Sequence, residues 1–590
     1  MNTSRKIIDF LNNHATEMPV GSTGSPSDTL EITIDIREEY RLKRTLGQMV
    51  YVKLSEDGHD VLVIGQIVKV ETKNRWHEDP AFKGVIKRYG ELPHLSGVAD
   101  NRIATISIQA AYDLSSLDPE GYILGNSPST GQRVELLTND IMQLLMERHA
   151  TDITYLGKFY NTDVDAPFWF KHFGKDDLEN REAGAGDAYH IGVFGKTGSG
   201  KSNTAASMLI GYAKNNHNMG ILVLDPQGQF YNDQDLVPGG RKFEEEIKKQ
   251  GMTYTKLHVL RDVYLSGNSL ELFGDILVGT QFIPAAFGKF YQDEKIDEAK
   301  HEIVSYLRGR TKDPRFSLEL VDPVQLLKEM VHSFAEKTKS DSKNGNPEWS
   351  RFVYNIYGTR ITRDRLQEQV DVFKNDFETR QEAINKWKQA IRYFQRYDEG
   401  REKLPIDRLV KGIVHDKGNM IILNLLDETP GTLSENIQAV FIHEIEQRVV
   451  EEGANMYGKQ QANCLIVLDE AHRFISYESS DERVHELTKE IISSVRTTRK
   501  YGIGYMFITQ TIDSLDDEIL KQMRVFAFGY GLTSGRELGQ ISNIINNPAS
   551  LRLYQSFIDP SSNHKYPFMF YGPVSPLSFT GSPLFVNMYS

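Results

Sequence analysis

One cysteine, Cys464, stands in the whole chain of 590 residues. That excludes a disulfide framework and any cysteine-built metal site. An unbroken apolar run of about 18 residues, the minimum for a membrane-crossing helix, is also missing. The opening MNTSRKIIDFLNNHATEMP has no long apolar core of the secretory kind, so the expectation is a cytoplasmic protein with no membrane partner. Positive charge is in deficit: 68 Lys and Arg face 81 Asp and Glu, a net charge of −13. The chain as a whole is not a polybasic nucleic-acid binder, and contact with DNA would need basic groups gathered on one surface, such as the lining of a ring. Long repeats and low-complexity tracts are absent too. What remains is an ordinary globular composition, long enough for about two to four domains.

The strongest positive signal is Gly195 to Ser202, which reads GKTGSGKS. It is a phosphate-binding P-loop, G-x-x-x-x-G-K-[ST], set between an apolar run (191–194) and a helical stretch (202–213). Gly195, Lys196, Thr197, Gly198, Ser199, Gly200, Lys201, Ser202 and Asn203 are the expected nucleotide cradle. Glycines let successive N–H groups face one anion, and the helix start adds partial positive charge. Lys201 is expected on the β- and γ-phosphates of ATP, and the Ser202 hydroxyl on Mg²⁺. The bland alternative is a glycine-rich turn with a chance lysine.

Around this loop the chain divides. Residues 1–29 read as a short helix (6–13) and a flexible tether. Residues 30–137 alternate apolar and polar at period 2 between glycine-rich turns, the texture of a small β-barrel for assembly or docking. A connector (138–187) carries the aromatic cluster Phe168-Trp169-Phe170, read as packing rather than as a platform for bases. An α/β core spans 188–234 and 416–535. Between its halves, 235–415 reads as an inserted helical bundle, with a seam at alternating spacings of three and four from Leu366 to Phe394. Helices packing on it are expected within 284–308 and 323–337, with a polar loop at 337–347. Met523 opens the expected last strand of the sheet. Residues 536–590 read as short helices and a tail that is ordered and packed across a subunit rather than disordered.

Three further strands end in polar groups where a parallel sheet presents its ligands. The second core strand ends at Asp225, which is either an acid near the γ-phosphate or a plain turn cap. Residues 465–468 are apolar and precede Asp469-Glu470, the Walker B arrangement. Asp469 is expected to hold the Mg²⁺ shell and Glu470 to activate the attacking water. Gln510 follows an apolar strand and is placed to sense the γ-phosphate. Arg496 and Arg499 close an amphipathic helix. They are either partners of its dipole or a finger reaching the nucleotide of a neighbouring subunit.

HIGVFGKTGSGKSNT, ILVLDPQGQF, CLIVLDEAHRF, TTRKYGIGYMFITQ and YPFMFYGPVSP together resemble the HerA ATPases, within the HerA–FtsK group of ring-shaped DNA translocases. The resemblance spans most of the chain. It implies a RecA-like core in a homo-hexamer, ATP sites between subunits and double-stranded DNA in the pore. It implies Walker A roles for Lys201 and Ser202, Walker B roles for Asp469 and Glu470, a sensor role for Gln510, and Arg499 as the trans finger. Asp225 matches the acid after the second strand. Many relatives end that motif in Gly-Glu, where this chain has Gly228-Gln229. Pore-lining cations are sought within 238–250 or 473–483. Relatives work with a nuclease in DNA end processing or with a nuclease or sirtuin-like NAD-cleaving protein in phage defence. This chain has no such constellation of its own, so an effector in trans is expected. A ring that merely scaffolds and switches a partner enzyme is the alternative, and a type IV secretion motor a weaker third.

Overall fold

The structure is a computed structural model and describes residues 3–14, 18–170, 188–216, 218–233, 235–265, 270–287, 293–311, 318, 321–323, 325, 376–416, 418–426, 433–458, 462–475, 482–578 and 581–589. Its first unit is built by the period-2 strands. They are β1 (Gly21–Thr23), β2 (Glu31–Ile36), β3 (Met49–Glu56), β4 (His59–Lys73), β5 (Asn101–Asp113), β6 (Glu120–Gly121) and β7 (Arg133–Leu136). They run in the order β2-β1-β7-β3-β4-β5-β6, and a β2–β5 pairing closes all but β6 into a barrel. Val50, Val63, Ile106 and Val134 fill it.

The expected tether is replaced by structure. Gly21–Thr23 is a barrel strand between β2 and β7. Helix α1 (Thr3–Asn13) buries Ile7 and Leu11 in one cluster with Ile141 and Leu145 of α2 (Asn139–Met146). Two apolar residues four apart suffice to give this short helix one sticky face.

The second unit is one large sheet. Its remaining strands are β8 (Thr154–Phe159), β9 (Asp165–Phe168), β10 (His190–Phe194), β11 (Gly220–Asp225), β12 (Thr253–His258), β13 (Asn419–Asn424), β14 (Cys464–Leu468), β15 (Ile503–Thr509), β16 (Met523–Gly529), β17 (Tyr566–Tyr571) and β18 (Leu584–Met588). The order is β12-β13-β11-β14-β15-β10-β16-β17-β18-β8-β9. The stretch from β12 to β16 is parallel, and the rest is antiparallel. Strands β10, β11, β14 and β15 are buried along their whole length, as a sheet covered on both faces requires. The architecture is an α/β RecA-like P-loop core with an N-terminal barrel and an inserted helical bundle.

Three placements differ from the sequence reading. Strand β12 belongs to the sheet although it lies inside 235–415. It is an edge strand, so its sequence TYTKLH lacks the continuous apolar run of its neighbours. The connector supplies β8 and β9. The tail is ordered and joins the sheet: β17 pairs with β16, and β18 closes onto β8. Met523–Gly529 is therefore not the last strand. Buried Gln66 joins the barrel to this tail, accepting from Phe585 N at 3.2 Å and donating to Phe585 O at 3.3 Å.

The insertion contains α5 (Leu270–Gly279), α6 (Phe282–Phe287), α7 (Asp293–Arg310) and α8 (Phe377–Arg392), following the short α4 (Phe243–Lys249) and, in the core, α3 (Lys201–Asn215). Trp387 of α8 is buried, with Phe273 edge-on at 5.0 Å and Phe282 at 5.1 Å. The seam residues Leu366, Val370 and Phe373, the loop 337–347 and nearly all of 323–337 lie outside the described residues. After the insertion come α9 (Glu435–Met456), α10 (Glu482–Thr498) and α11 (Gly535–Ile545).

Candidate nucleotide site

Parallel strands bring their carboxyl ends to one rim, and the polar residues found in the sequence meet there. The loop 195–200 leaves β10 and enters α3 at Lys201. Gly198 and Gly200 take left-handed conformations, φ +81° and +88°, which glycine adopts without a Cβ penalty. Lys201 is buried, and its ammonium donates to Lys196 O at 3.3 Å. Burial pulls its pKa down, opposed by the carboxylates of Glu470 and Asp469. Lys196 points away from the cradle to buried Glu537 of α11, at 2.9 Å. Asn203 donates to Asp235 O. Ser199 is buried, and its hydroxyl has no partner among the described residues.

Next to β10 stands β15, then β14. Gln510, just past β15, joins the two sides of the site. Its Nε2 donates to both oxygens of Glu470, at 3.2 and 3.3 Å. Its Oε1 accepts from the Thr197 hydroxyl of the P-loop at 3.2 Å. Glu470 is buried and sits at φ +48°, a left-handed backbone that costs a non-glycine residue about 1 kcal/mol or more. Residues over-determined in this way concentrate at active sites. His472 Nδ1 lies 3.2 Å from Glu470 Oε2, and burial pulls the imidazole pKa down.

Asp469 is buried, and its Oδ2 has no partner among the described residues. Its carboxyl is held well above the ordinary range, by burial first and then by the charges of Asp225 and Glu470. An orphaned buried carboxylate oxygen at a phosphate rim fits a cation ligand. The described residues contain no group of three or more His, Cys, Asp or Glu that could cage an ion, but Mg²⁺ takes only one or two carboxylates beside phosphate oxygens and water. The Ser202 hydroxyl donates to Gln229 Oε1 at 2.6 Å. Gln229 therefore stands where it touches the expected metal ligand, a contact that the sequence marked only as a departure from Gly-Glu.

Asp225 is fully buried, and its carboxylate accepts from Gln229 N at 3.0 Å and Tyr231 N at 2.8 Å. These amides belong to the turn after β11, as the capping alternative has it, and the charge of Asp225 also bears on the carboxyl of Asp469. Burial lifts its pKa to about 6 despite those amides. Of the pore-cation candidates in 238–250, Arg241 and Lys249 pair with Glu246, and Lys248 with Glu244. Arg473 pairs with Glu435 at 2.7 Å, and residues 476–481 lie outside the described residues.

Arg499 lies before β15, whereas Gln510 lies after it. The strand is seven residues long, so the two ends are roughly 20 Å apart. Arg499 thus sits at the opposite edge of the sheet from its own P-loop, within 3.5 Å of Gln522 Oε1. Arg496 is exposed one turn earlier.

Residues 188–489, just over half of the chain, match the family model described as "Helicase HerA, central domain". A protein named DNA double-strand break repair helicase HerA, from Sulfurisphaera tokodaii, is 24% identical over 67% of this chain and 62% of its own length. One of the same name from Saccharolobus solfataricus is 21% identical over 57% of this chain and 53% of its own length. The match thus spans under two thirds of these relatives. Among solved structures, VirB4 of Thermoanaerobacter pseudethanolicus covers 74% of this chain and 96% of its own, at 13% identity and a TM-score of 0.36.

Proposed function

The chain belongs to the HerA helicase family, and from that premise we propose that it is an ATP-driven motor that moves double-stranded DNA through a homo-hexameric ring. The carrying observation is the rim itself: Lys201, Ser202, Asp469, Glu470 and Gln510 stand together at the carboxyl ends of three adjacent strands. In this reading the loop amides from Gly195 to Ser202 cradle the phosphates, and Lys201 compensates their charge. Ser202 and Asp469 would hold Mg²⁺, which supplies further neutralisation of phosphate charge. Glu470 accepts the proton of the attacking water. Gln510 aims Glu470 and, through Thr197, is placed to register what the P-loop holds. Arg499, at the far sheet edge, serves the nucleotide of the next subunit, so the ring is required for turnover.

The work on DNA rests on the family and on what its relatives are named for. An effector in trans, a nuclease or a sirtuin-like NAD-cleaving protein, would dock on the barrel in DNA end processing or phage defence. Among the described residues no helix is long and apolar enough to cross a membrane.

The test is ATP hydrolysis by the full chain with and without duplex DNA. Turnover should rise with DNA and disappear in Lys201→Ala and Glu470→Ala, and DNA binding should weaken steeply with salt. Assembled rings whose ATPase ignores DNA, with binding indifferent to salt, would overturn the motor reading. If Glu470→Gln still activates a co-purified effector in full, the ring is a scaffold.

A further inference from the structure

The phosphate loop has two flanks, and the reading above uses only one. Glu470 and Gln510 stand on the β14–β15 side of β10; on the other side are β16, β17 and β18. Strand β17 is antiparallel to β16, so its first residue, Tyr566, comes to the same rim as the P-loop. Met588 pairs with Tyr566 and brings Tyr589 there too. A cavity of about 200 Å³ opens at this point, between the first turns of α3 and the two tail strands. That is far more than the roughly 10–15 Å³ that one ordered water needs.

We propose that this cavity takes the nucleoside end of the triphosphate, with the Tyr566 ring as the platform for its base. The inference rests on the nucleotide reading of the P-loop and extends it. Lys201 reaches the β- and γ-phosphates, so the α-phosphate and the sugar leave the loop beyond it, towards the first turn of α3. The cavity begins there, walled by Gly200, Asn203, Thr204 and Ser207, with Tyr566 and Tyr589 opposite. The Tyr566 ring lies on Gly200 so closely that a Cβ at that glycine would meet its Cδ1 at 2.8 Å. Loop and ring are therefore one surface. Thr204 is 1% exposed, and its buried hydroxyl has no partner among the described residues. The Tyr589 hydroxyl donates to Asp165 at 2.8 Å, which ties this wall to β9. Asp235, Val237, the turn 238–240 and Met588 complete the wall, and an aromatic ring with polar companions in such a cavity suits a planar heteroaromatic base.

The experiment compares ATP with inorganic tripolyphosphate, which keeps the phosphates and lacks the nucleoside. Binding of each, with Mg²⁺, is measured calorimetrically on the full chain. Tyr566→Ala should weaken ATP about ten-fold, the scale of one base–aromatic stack, while tripolyphosphate changes by less than about two-fold. Tyr566→Phe should keep ATP affinity. Ser207→Trp, which fills the cavity from the helix side, should reproduce the selective loss without touching the tail. Equal losses for both ligands would make Tyr566 a prop for Gly200 and overturn the proposal, as would unchanged ATP binding in Tyr566→Ala and Ser207→Trp. If the wild-type chain binds neither ligand, the nucleotide reading itself falls and this inference with it. If it binds both equally well, only the nucleoside cavity falls.

Discussion

Glu470 and Gln229 carry the sharpest chemistry at the residue scale. Glu470 is buried, held at φ +48°, and receives two hydrogen bonds from Gln510. An amide in its place keeps the shape and removes the base. Glu470→Gln should lower kcat about 10²–10⁴-fold, with ATP affinity little changed; a variant that still turns over at the wild-type rate removes Glu470 from the mechanism. Gln229 stands on the Ser202 hydroxyl at 2.6 Å. Gln229→Glu adds a negative charge beside the site expected for Mg²⁺, so the Mg²⁺ concentration for half-maximal turnover should fall, by about ten-fold. A half-saturation that stays put or rises would show that the position does not face the metal.

Between elements, the buried carboxyl of Glu446 sets a pH dependence. It projects from α9 to Tyr505 of β15, whose hydroxyl donates to it at 3.2 Å, with Ser494 and Glu490 of α10 also facing it. Burial pushes its pKa up to about 7 from the ordinary 4.5. The folded chain therefore keeps a proton that the unfolded chain releases. Stability from this group is full below pH 4.5 and is lost as pH rises through about 7, some ~3 kcal/mol in all. Asp225 acts with the same sign in a lower window, up to about 6. Urea midpoints measured from about pH 5 to 8 should fall more in the wild type than in Glu446→Gln; parallel curves would contradict the assignment. The elements around this pair were legible where a strand or helix is buried from end to end. Strand β15 matches its apolar run residue for residue, 503–509. Strands β8, β9 and β12 were not legible, because edge and antiparallel positions ask for no continuous apolar run.

At the scale of the whole molecule, the sheet separates Arg499 from its own P-loop by the length of β15. A finger in that position can only act on a neighbour. Arg499→Ala and Lys201→Ala should each be inactive alone, and mixed rings should regain part of the turnover, since some interfaces then pair an intact loop with an intact arginine. Mixtures as dead as their parents, or Arg499→Ala rings with full activity, would move the role to Arg496 or remove it. The same scale explains the tail. Through β17 and β18 it spans from the P-loop rim to Gln66 of the barrel, so what the cradle holds and how the barrel sits share one pair of strands.

Local chemistry determined what could be read from the sequence. A glycine-rich loop before a lysine, and an acid pair after an apolar strand, carry their meaning in adjacent residues, so Lys201, Ser202, Asp469 and Glu470 were found without a fold. That Asp225 receives two backbone amides of the turn after β11 depends on where those amides lie, which the tertiary structure decides. That Gln229 meets Ser202, that Lys196 turns to Glu537, and that Tyr566 lies on Gly200 are contacts across 27, 341 and 366 residues of chain. Spacing along a sequence carries no information about such meetings; only the order of strands in the sheet brings them about.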